Sequence, residues 1–284
     1  MHQDKQFEPL VIVEEEVIHL DKVVHLHNYY EFVFIKSGTG KHYLNGETTD
    51  FIAGDLFFIS PVDKHAFEIN RTSVICSVRF TEYGKGRIKS LQQAFNGEFS
   101  TLKKGRSPLN IKVNFSEKDL KLVTAIIDLM SLLKNDILSN EAMIYLQIVA
   151  LVAIIERNLS YSSHMVDTLK ISNDPKKTLE MLYTYIHRHI SNPEQLTATK
   201  IAAHSGHSAH YIGVYFKRNA GVTLKDYINE CRQTIIGRKL LSNEFSVNQL
   251  TAAFNFTDES HFNKSFKKHW GMSPSKYREL NKKG

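Results

Sequence analysis

The sequence has few cysteines and no long uninterrupted apolar segment. Cys76 and Cys231 are the only cysteines among 284 residues, and their separation argues against a disulfide framework and favours a reducing compartment. The longest apolar run, residues 144–155, contains Gln147 and is shorter than the roughly 20 residues that cross a bilayer. Glutamates at residues 14–16 interrupt the first apolar segment, which is not typical of a signal peptide. We therefore expect a cytoplasmic protein that does not associate with a membrane.

Positive charge is unevenly distributed along the chain. The formal net charge is +6, yet residues 170–284 hold 18 Lys and Arg against 9 Asp and Glu, which leaves −3 for the first 169 residues. A chain of this length usually forms more than one domain, so we expect two domains with charges of opposite sign. A basic domain favours nucleic acid as its partner, although solvated basic helices would produce the same imbalance.

The basic half contains an internal repeat. Residues Tyr211, Ile212, Phe216, Lys217, Gly221, Thr223 and Tyr227 are matched 50 residues later by His261, Phe262, Phe266, Lys267, Gly271, Ser273 and Tyr277. Each copy is predicted to contain a short helix, a turn and a second helix. Gly206 and Asn255 tolerate the left-handed conformation of such turns, and Ser208 and Thr257 suit the N-cap of the second helix. This is the helix-turn-helix pattern, whose second helix enters the major groove of DNA.

The second helix of each copy has an inner apolar face and an outer face predicted to contact DNA. Phe262 and Phe266, four residues apart, point to the core of the second copy. On the outer face Asn263 can offer a donor and an acceptor to a base edge, Lys264 can reach guanine and Lys267 is placed for a phosphate. The predicted DNA-binding residues are Ser208, Ala209, His210, Gly213, Val214 and Lys217 in the first copy and Glu259, Ser260, Asn263, Lys264 and Lys267 in the second.

The first copy is expected to read DNA more weakly than the second. Gly213 and Val214 offer no hydrogen bond to a base, which leaves His210 and a contact of Val214 with a thymine methyl. A glycine inside a helix also costs about 1 kcal/mol relative to alanine.

One long helix is predicted between the two copies. Residues 223–242 would form a helix roughly 30 Å long at about 1.5 Å per residue. That length is close to the roughly 34 Å between adjacent major-groove faces on one side of B-DNA. Gln233 and Gly237 interrupt the apolar face of this helix.

The N-terminal half alternates short apolar segments with turn residues. Asn45 and Gly46 form the strongest hairpin signal, because both accept positive φ. The predicted strands, rich in Val, Ile, Phe and Tyr, are residues 31–35, 41–44, 56–60 and 74–80. Short, evenly spaced strands favour a sandwich or a barrel. The predicted fold class is α+β: an N-terminal β-barrel with two connecting helices, followed by an all-α domain with two helix-turn-helix motifs.

Part of this strand-rich segment resembles the cupin barrel. The pattern His25-x-His27-x3-Glu31-x6-Gly38, followed by Gly54-Asp55 and Pro61-x3-His65, is similar to the two cupin motifs in order. The resemblance implies a ligand-binding set of His25, His27, Glu31 and His65. In metal-binding cupins such residues hold one divalent ion, and imidazole with carboxylate suits iron, manganese or zinc. The sequence lacks two glycines of the motifs, so we expect an effector pocket without a cofactor, with a divalent metal at the same four residues as the alternative.

Two helices are predicted between the barrel and the basic half. Ser116 is predicted to cap the first, which has one apolar face. The second, residues 141–158, is apolar almost all round and must be covered on every side, either by the barrel or also by a second copy of the chain. The predicted domains are a cupin-like effector-binding barrel at 1–115, loop-rich from residue 84; a helical connector and candidate dimerisation element at 116–159; a linker at 160–173; and a DNA-binding domain at 174–284.

Residues 174–278 resemble the DNA-binding domain of the AraC/XylS family of transcription regulators. The resemblance is carried by Phe262-x3-Phe266-Lys267-Lys268 and by Gly271-Met272-Ser273-Pro274-x2-Tyr277-Arg278. It implies a sequence-specific DNA-binding regulator, not an enzyme, modulated by a small molecule in the cupin domain. The implied partners are double-stranded DNA, the small-molecule effector, a second copy of the chain in a homodimer, and RNA polymerase. The sequence departs from the family at Gly213 and Val214, where a polar residue and an arginine are usual.

Two other functions are compatible with these residues. A metal-dependent cupin enzyme, an oxygenase or an isomerase, would use the basic half only for localisation. An architectural DNA-bending protein would not need a ligand-sized barrel, so the barrel argues against it.

Overall fold

Short apolar segments pair into two β-sheets in the N-terminal part of the chain. The computed structural model describes residues 2–61, 63–81, 112–162, 175–242 and 244–281. Within these ranges the strands are β1 (His2–Asp4), β2 (Leu10–Val17), β3 (His25–His27), β4 (Tyr30–Ser37), β5 (Thr39–Leu44), β6 (Glu47–Ile52), β7 (Leu56–Ile59), β8 (His65–Ile69) and β9 (Ser73–Phe80). One sheet has the order β1-β3-β8-β5-β6 and the other β2-β9-β4-β7. The predicted α+β class, with a sheet-rich N-terminal part, is confirmed.

The hairpin between β5 and β6 turns where the sequence predicts it. Asn45 and Gly46 have φ angles of 53° and 101°, in the left-handed region that a tight hairpin requires.

Alternation along β4 gives the four-stranded sheet two different faces. Phe32 and Phe34 point to one face and pack in a core shared with two helices. Val33 and Ile35 point to the other face and pack with residues of the five-stranded sheet. Because successive side chains of a strand point to opposite faces, Glu31 shares the face between the two sheets.

Two helices cover the outer face of the four-stranded sheet. They are α1 (Glu117–Leu132) and α2 (Ile137–Ser162). The hydroxyl of Ser116 accepts a hydrogen bond from the amide of Asp119 at 3.2 Å, which confirms the predicted N-cap. The Asp119 carboxylate accepts a hydrogen bond from Asn158 of α2 at 2.8 Å, so the cap also joins the two helices.

Helix α2 is longer than the sequence predicts, and part of its surface is exposed in the single chain. It has 26 residues, so residues 160–162, predicted to begin the linker, form its last turn. By length and composition its segment Ile137–Asn158 is long and apolar enough to cross a membrane, which residues 144–155 alone did not suggest. Ile144, Ile148 and Val152 are buried in the core with the sheet. A stripe of this helix is exposed, so the described part of one chain does not by itself cover α2 on every side: Met143, Leu146, Ala150 and Ala153.

Two predicted segments lie outside the described residues. These are most of the loop-rich segment, 84–111, and the linker from residue 163 onward.

The chain divides into two compact units, and the second is helical. The first comprises Met1–Gln6 and Leu10–Asp174, and the second comprises Phe7–Pro9 and Pro175–Gly284. The helices of the second are α3 (Pro175–Arg188), a 3-10 turn (Pro193–Leu196), α4 (Ala198–Ser205), α5 (Ala209–Ala220), α6 (Leu224–Leu241), α7 (Val247–Ala253), α8 (Glu259–Trp270) and α9 (Pro274–Leu280).

The helical unit repeats the same local structure twice, as the sequence predicts. Helices α4 and α5 form the first helix-turn-helix motif, and α7 and α8 form the second. Gly206 and Asn255 in the turns have φ angles of 70° and 50°. Ser208 caps α5, as predicted. The predicted cap at Thr257 is wrong by one residue, because the Asp258 carboxylate accepts a hydrogen bond from the amide of His261 at 2.7 Å.

Helix α6 is the predicted rod between the motifs. It has 18 residues, which at about 1.5 Å each gives a length of roughly 27 Å. The two residues that interrupt its apolar face have specific contacts. Gln233 is buried and donates a hydrogen bond to the hydroxyl of Ser265 in α8 at 2.9 Å. Gly237 lies against Trp270, since a Cβ at this glycine would be 3.0 Å from the indole ring.

Candidate functional site

Helix α8 exposes the face that the sequence predicts to contact DNA. Phe262 and Phe266 are buried, and the opposite side chains are exposed: Glu259, Ser260, Asn263, Lys264 and Lys267. None of these five side chains has a hydrogen bond or an ion pair with another described residue. They are therefore available to a partner outside the chain.

Helix α5 exposes the equivalent face with different chemistry. Ile212 and Phe216 are buried. Of the predicted residues, Ser208, His210, Val214 and Lys217 are exposed, and Ala209 and Gly213 are half-buried. Ser208 also has a structural role, because its hydroxyl accepts a hydrogen bond from the amide of Tyr211 at 3.2 Å.

The two recognition helices, α5 and α8, line one open cleft of about 1120 Å³ in the helical unit. Gly213 of α5 and Ser265 of α8 lie on its walls, and α6 contributes residues between them. Its charged lining consists of Lys217, Lys225, Arg232, Lys264 and Lys268 together with the carboxylate of Asp226. The excess of cations favours a polyanion in this cleft.

Arg232 of α6, which the sequence did not single out, lines the cleft and contacts the ends of two other helices. Its guanidinium donates hydrogen bonds to the carbonyl of Ile190, after α3, at 3.0 Å and to the carbonyl of Phe254, at the end of α7, at 2.7 Å. It also lies over the ring of Phe256, 5.5 Å from the centroid. Burial lowers its pKa to about 10. Arg232 is thus a positioning residue that joins the segment after α3 and the end of α7, in the second motif, to α6.

A second candidate site lies between the two sheets of the first unit. It contains three of the four predicted ligand-binding residues: His27 of β3, Glu31 of β4 and His65 of β8, all buried. The Glu31 carboxylate lies 3.6 Å from Nε2 of His27 and 3.9 Å from Nε2 of His65. The ligand atoms of the three residues lie within 4.8 Å of one another.

His25, the fourth predicted residue, lies at the edge of this group. It is half-buried, and its ring centroid is 4.2 Å from that of His65. Its Nδ1 lies 3.1 Å from the carbonyl oxygen of Val23. The structure therefore brings His27, Glu31 and His65 together and leaves His25 beside them.

The Glu31 carboxylate is bound by two residues of β9 that the sequence analysis missed. The Glu31 carboxylate accepts hydrogen bonds from the hydroxyl of Ser77 and, at 3.0 Å, from Nε of Arg79. The antiparallel pairing of β4 with β9 places Arg79 opposite Glu31. Arg79 also stacks over the ring of Tyr29, 5.5 Å from the centroid. Because side chains alternate along a strand, the sequence places Ser77 and Arg79 on one face of β9. Only the strand pairing shows which neighbouring strand these two residues contact.

The site histidines are held in the neutral form. Burial lowers the pKa of His27 despite the nearby Glu31 carboxylate. Burial also lowers the pKa of His65 well below its usual value, and the neighbouring histidines add to this effect. Nδ1 of His27 lies 2.8 Å from the carbonyl oxygen of Tyr29, so it carries the proton and leaves a lone pair on Nε2. Nε2 of His27 and both ring nitrogens of His65 have no hydrogen-bond partner among the described residues.

A third buried histidine, His42 of β5, extends the group and was also missed by the sequence analysis. Its ring lies between those of Phe57 and Phe67, with centroid distances of 4.4 and 4.3 Å, and 6.0 Å from the ring of His65. Neither of its ring nitrogens has a hydrogen-bond partner in the described part of the chain. His42 and Leu44 are two residues apart on β5 and therefore point to the same face, and Leu44 is buried in the core between the sheets. This spacing is the sequence signal that could have located His42.

The residues His27, Glu31 and His65 fit a divalent ion in their donor chemistry. Two imidazole nitrogens and one carboxylate suit first-row transition metals. The hydrogen bond from Nδ1 of His27 to a backbone carbonyl is the kind of contact that orients metal-binding histidines. In that case the three residues would hold the ion, which would supply Lewis-acid character at this point of the barrel. Arg79 limits the fit, because its guanidinium already balances the charge of Glu31.

Comparisons with known proteins match both halves of the chain. Residues 16–80 match the cupin domain family and residues 201–280 match the helix-turn-helix domain family. The transcriptional activator RhaS of Escherichia fergusonii is 23% identical over 260 residues, which covers 90% of this chain and 87% of RhaS. RhaS of Escherichia coli O6:H1 is 22% identical over 275 residues, with coverages of 95% and 92%. ToxT of Vibrio cholerae is a solved structure with 14% identity and a TM-score of 0.42, covering 96% of this chain and 99% of ToxT.

A cupin domain followed by a tandem helix-turn-helix domain defines a DNA-binding transcription regulator. The resemblance to regulators of the AraC/XylS family, which the sequence motifs carry, is confirmed by this pair of domains and by the RhaS relatives.

Proposed function

We propose that this regulator reads two successive major-groove segments of one DNA duplex, one with α5 and the other with α8. The supporting observation is that both helices present exposed faces beside one cation-lined cleft of about 1120 Å³. Helix α6, which lies between the motifs in the chain, is roughly 27 Å long at about 1.5 Å per residue, a length of the same order as the roughly 34 Å between adjacent groove faces. The proposed contacts are the predicted residues from Ser208 to Lys217 and from Glu259 to Lys267.

A binding-site selection from random duplex DNA tests the proposal. The wild-type chain should enrich a two-part site. Lys264→Ala and Asn263→Ala should relax its base preference more than Val214→Ala does, because a good bidentate contact contributes about 1–3 kcal/mol of discrimination. An equal or reversed ranking would contradict the leading role of α8, and enrichment of no sequence would contradict the DNA-reading function itself.

We propose that the group of His27, His42, His65 and Glu31 is the inner wall of an effector site for a small molecule. Buried polar atoms without partners cost about 1–3 kcal/mol each, and a ligand that hydrogen-bonds the ring nitrogens would remove that cost. Such a ligand alters DNA binding only if it has different affinities for two arrangements of the protein. A thermal-shift screen of metabolites should find a stabilising compound whose effect is lost in His65→Phe and kept in His210→Phe.

We propose that the regulator is not an enzyme. The alternative is a metal-dependent oxygenase or isomerase, and metal analysis of the purified chain distinguishes the two functions. The purified chain should bind its selected DNA equally well before and after treatment with EDTA. A stoichiometric metal held by His27, Glu31 and His65, together with turnover of a substrate, would support the enzyme instead.

We propose that the protein is a homodimer in the cytoplasm and that the exposed stripe of α2 is its contact surface. Leu146 is 53% exposed and Met143 40% exposed, beside the small Ala150 and Ala153 that allow close helix packing. Leu146→Glu should convert a dimer to a monomer in light scattering after size exclusion. Glu117→Ala, at an exposed position of α1, is the control and should leave the dimer intact.

We propose transcriptional activation as the outcome, with RNA polymerase as the protein partner, in line with the RhaS relatives, which are named activators. A reporter gene placed downstream of the selected site should be induced by the wild-type chain. Repression of that reporter would contradict activation without affecting the DNA-binding proposal.

A further inference from the structure

Gly213 lies in the middle of a recognition helix that has no internal need for a glycine. A Cβ built at this position meets no atom within 4 Å. The residue is not among those with positive φ, so its backbone does not require glycine either. Alanine would stabilise the helix by about 1 kcal/mol. A glycine retained in open space, on a helix that faces a partner, allows that partner to approach the backbone closely.

The side chains at Gly213 and next to it on α5 are small and apolar, whereas His210 and Lys217 are exposed one turn away on either side. Val214 is 56% exposed, and Ala209 lies at the start of the same helix. At the corresponding positions of α8 the repeat carries Asn263 and Lys264, both exposed. The two helices have the same length and the same N-terminal and C-terminal cap geometry, so the contrast at these two positions lies in the outward side chains.

We propose that the two recognition helices read different base chemistry, so that the operator consists of two unlike halves. In one half, α5 lies deep in the major groove, with the backbone at Gly213 against the base edges and Val214 against the C5-methyl group of thymine. In the other half, α8 reads hydrogen-bonding edges of purines through Asn263 and Lys264. This inference rests on the proposed DNA-reading function and specifies the partner of the same surface.

Replacement of thymine by uracil tests the methyl contact, because it removes only the C5-methyl group. In the selected site each thymine is replaced in turn, and affinity is measured for the wild-type chain and for Val214→Ala. At one or two thymines the replacement should lower the affinity of the wild-type chain about fourfold, which is the effect expected for burial of one methyl group. The same replacement should have no effect in Val214→Ala, since the variant lacks the group that contacts the methyl.

Replacement of guanine by 7-deazaguanine tests the other half. Replacement of a guanine about 10 base pairs from the sensitive thymine should lower the affinity of the wild-type chain for the duplex at least fivefold. The same replacement should leave the affinity of Lys264→Ala unchanged. Uracil replacements in that half should change affinity less than twofold.

Gly213→Ala tests the close approach and carries its own folding control. The variant should melt at a higher temperature than the wild type, because alanine is the better helix residue, and should bind the selected site at least fivefold more weakly. A variant that is more stable and binds equally well would overturn the close approach. If uracil replacement changed the affinity at no thymine, the proposed contact with a thymine methyl would be overturned. Each of these two results differs from a selection that enriches no sequence, which would overturn the DNA-reading function itself.

Discussion

The neutral histidines in the barrel make the stability of the first unit depend on pH. Burial between two phenylalanine rings lowers the pKa of His42 to about 3, whereas a histidine in an unfolded chain has a pKa of about 6.5. The folded state has the lower pKa, so the unfolded chain takes up a proton first as the pH falls. Stability from this residue is fully present above about pH 6.5 and is lost progressively down to about pH 3.

His42→Phe should therefore reduce the sensitivity of this unit to acid. Phenylalanine suits the aromatic surroundings and does not titrate. Between pH 7.5 and pH 5.5 the variant should lose about 1.4 kcal/mol less free energy of unfolding than the wild type, since one pH unit below the unfolded pKa corresponds to that amount. Urea unfolding followed by circular dichroism at both pH values measures the difference. His210→Phe, at an exposed position of the other unit, is the control, and identical pH dependence of His42→Phe and wild type would contradict the prediction.

The side chain of Arg232 joins helix α6 to the segment after α3 and to the end of α7. Arg232→Met keeps the length of the side chain but leaves the carbonyls of Ile190 and Phe254 without their charged donor. Hydrogen bonds to charged groups contribute about 1.5–3 kcal/mol each, so the helical unit should lose about 3 kcal/mol of stability. Trp270 is the only tryptophan in the chain and lies in the second motif, so its fluorescence during urea unfolding reports on this unit.

Arg218→Met is the matched control for Arg232. Arg218 is exposed on α5 and has no hydrogen bond or ion pair among the described residues. Its replacement should change stability by less than about 0.5 kcal/mol. Equal destabilisation by the two substitutions would show that the bridging contacts of Arg232 are not the cause.

The elements of the helical unit are predictable from the sequence because their determinants are local. Turn residues such as Gly206 and Asn255 and cap residues such as Ser208 act within one helical turn, and the internal repeat shows them twice. The cap of α8 was misplaced because Thr257 and Asp258 are adjacent and both can cap, so only the helix register decides between them.

The interior of the barrel was less predictable because it depends on strand pairing. His42 meets His65 only because β5 pairs with β8, with Leu44 opposite His65. Arg79 meets Glu31 across strands that are 48 residues apart in sequence. A motif placed His27, Glu31 and His65 near one another, but residues without a motif could be located only after the register was known.

The segregation of charge along the chain separates a basic DNA-binding half from an acidic remainder. The association constant for DNA should fall steeply with salt, because each neutralised phosphate releases counterions and contributes about −0.9 to the slope of log K against log salt concentration. Lys267→Ala should make that slope smaller by about 1 and weaken all sequences alike, as expected for a phosphate contact. Titration of the selected duplex and of an unrelated duplex across a range of salt concentrations measures both effects.

Lys118→Ala is the control, because it removes an exposed lysine of the acidic part and should leave the slope unchanged. If Lys118→Ala and Lys267→Ala changed the slope equally, the salt dependence would reflect net charge and not a contact made by α8.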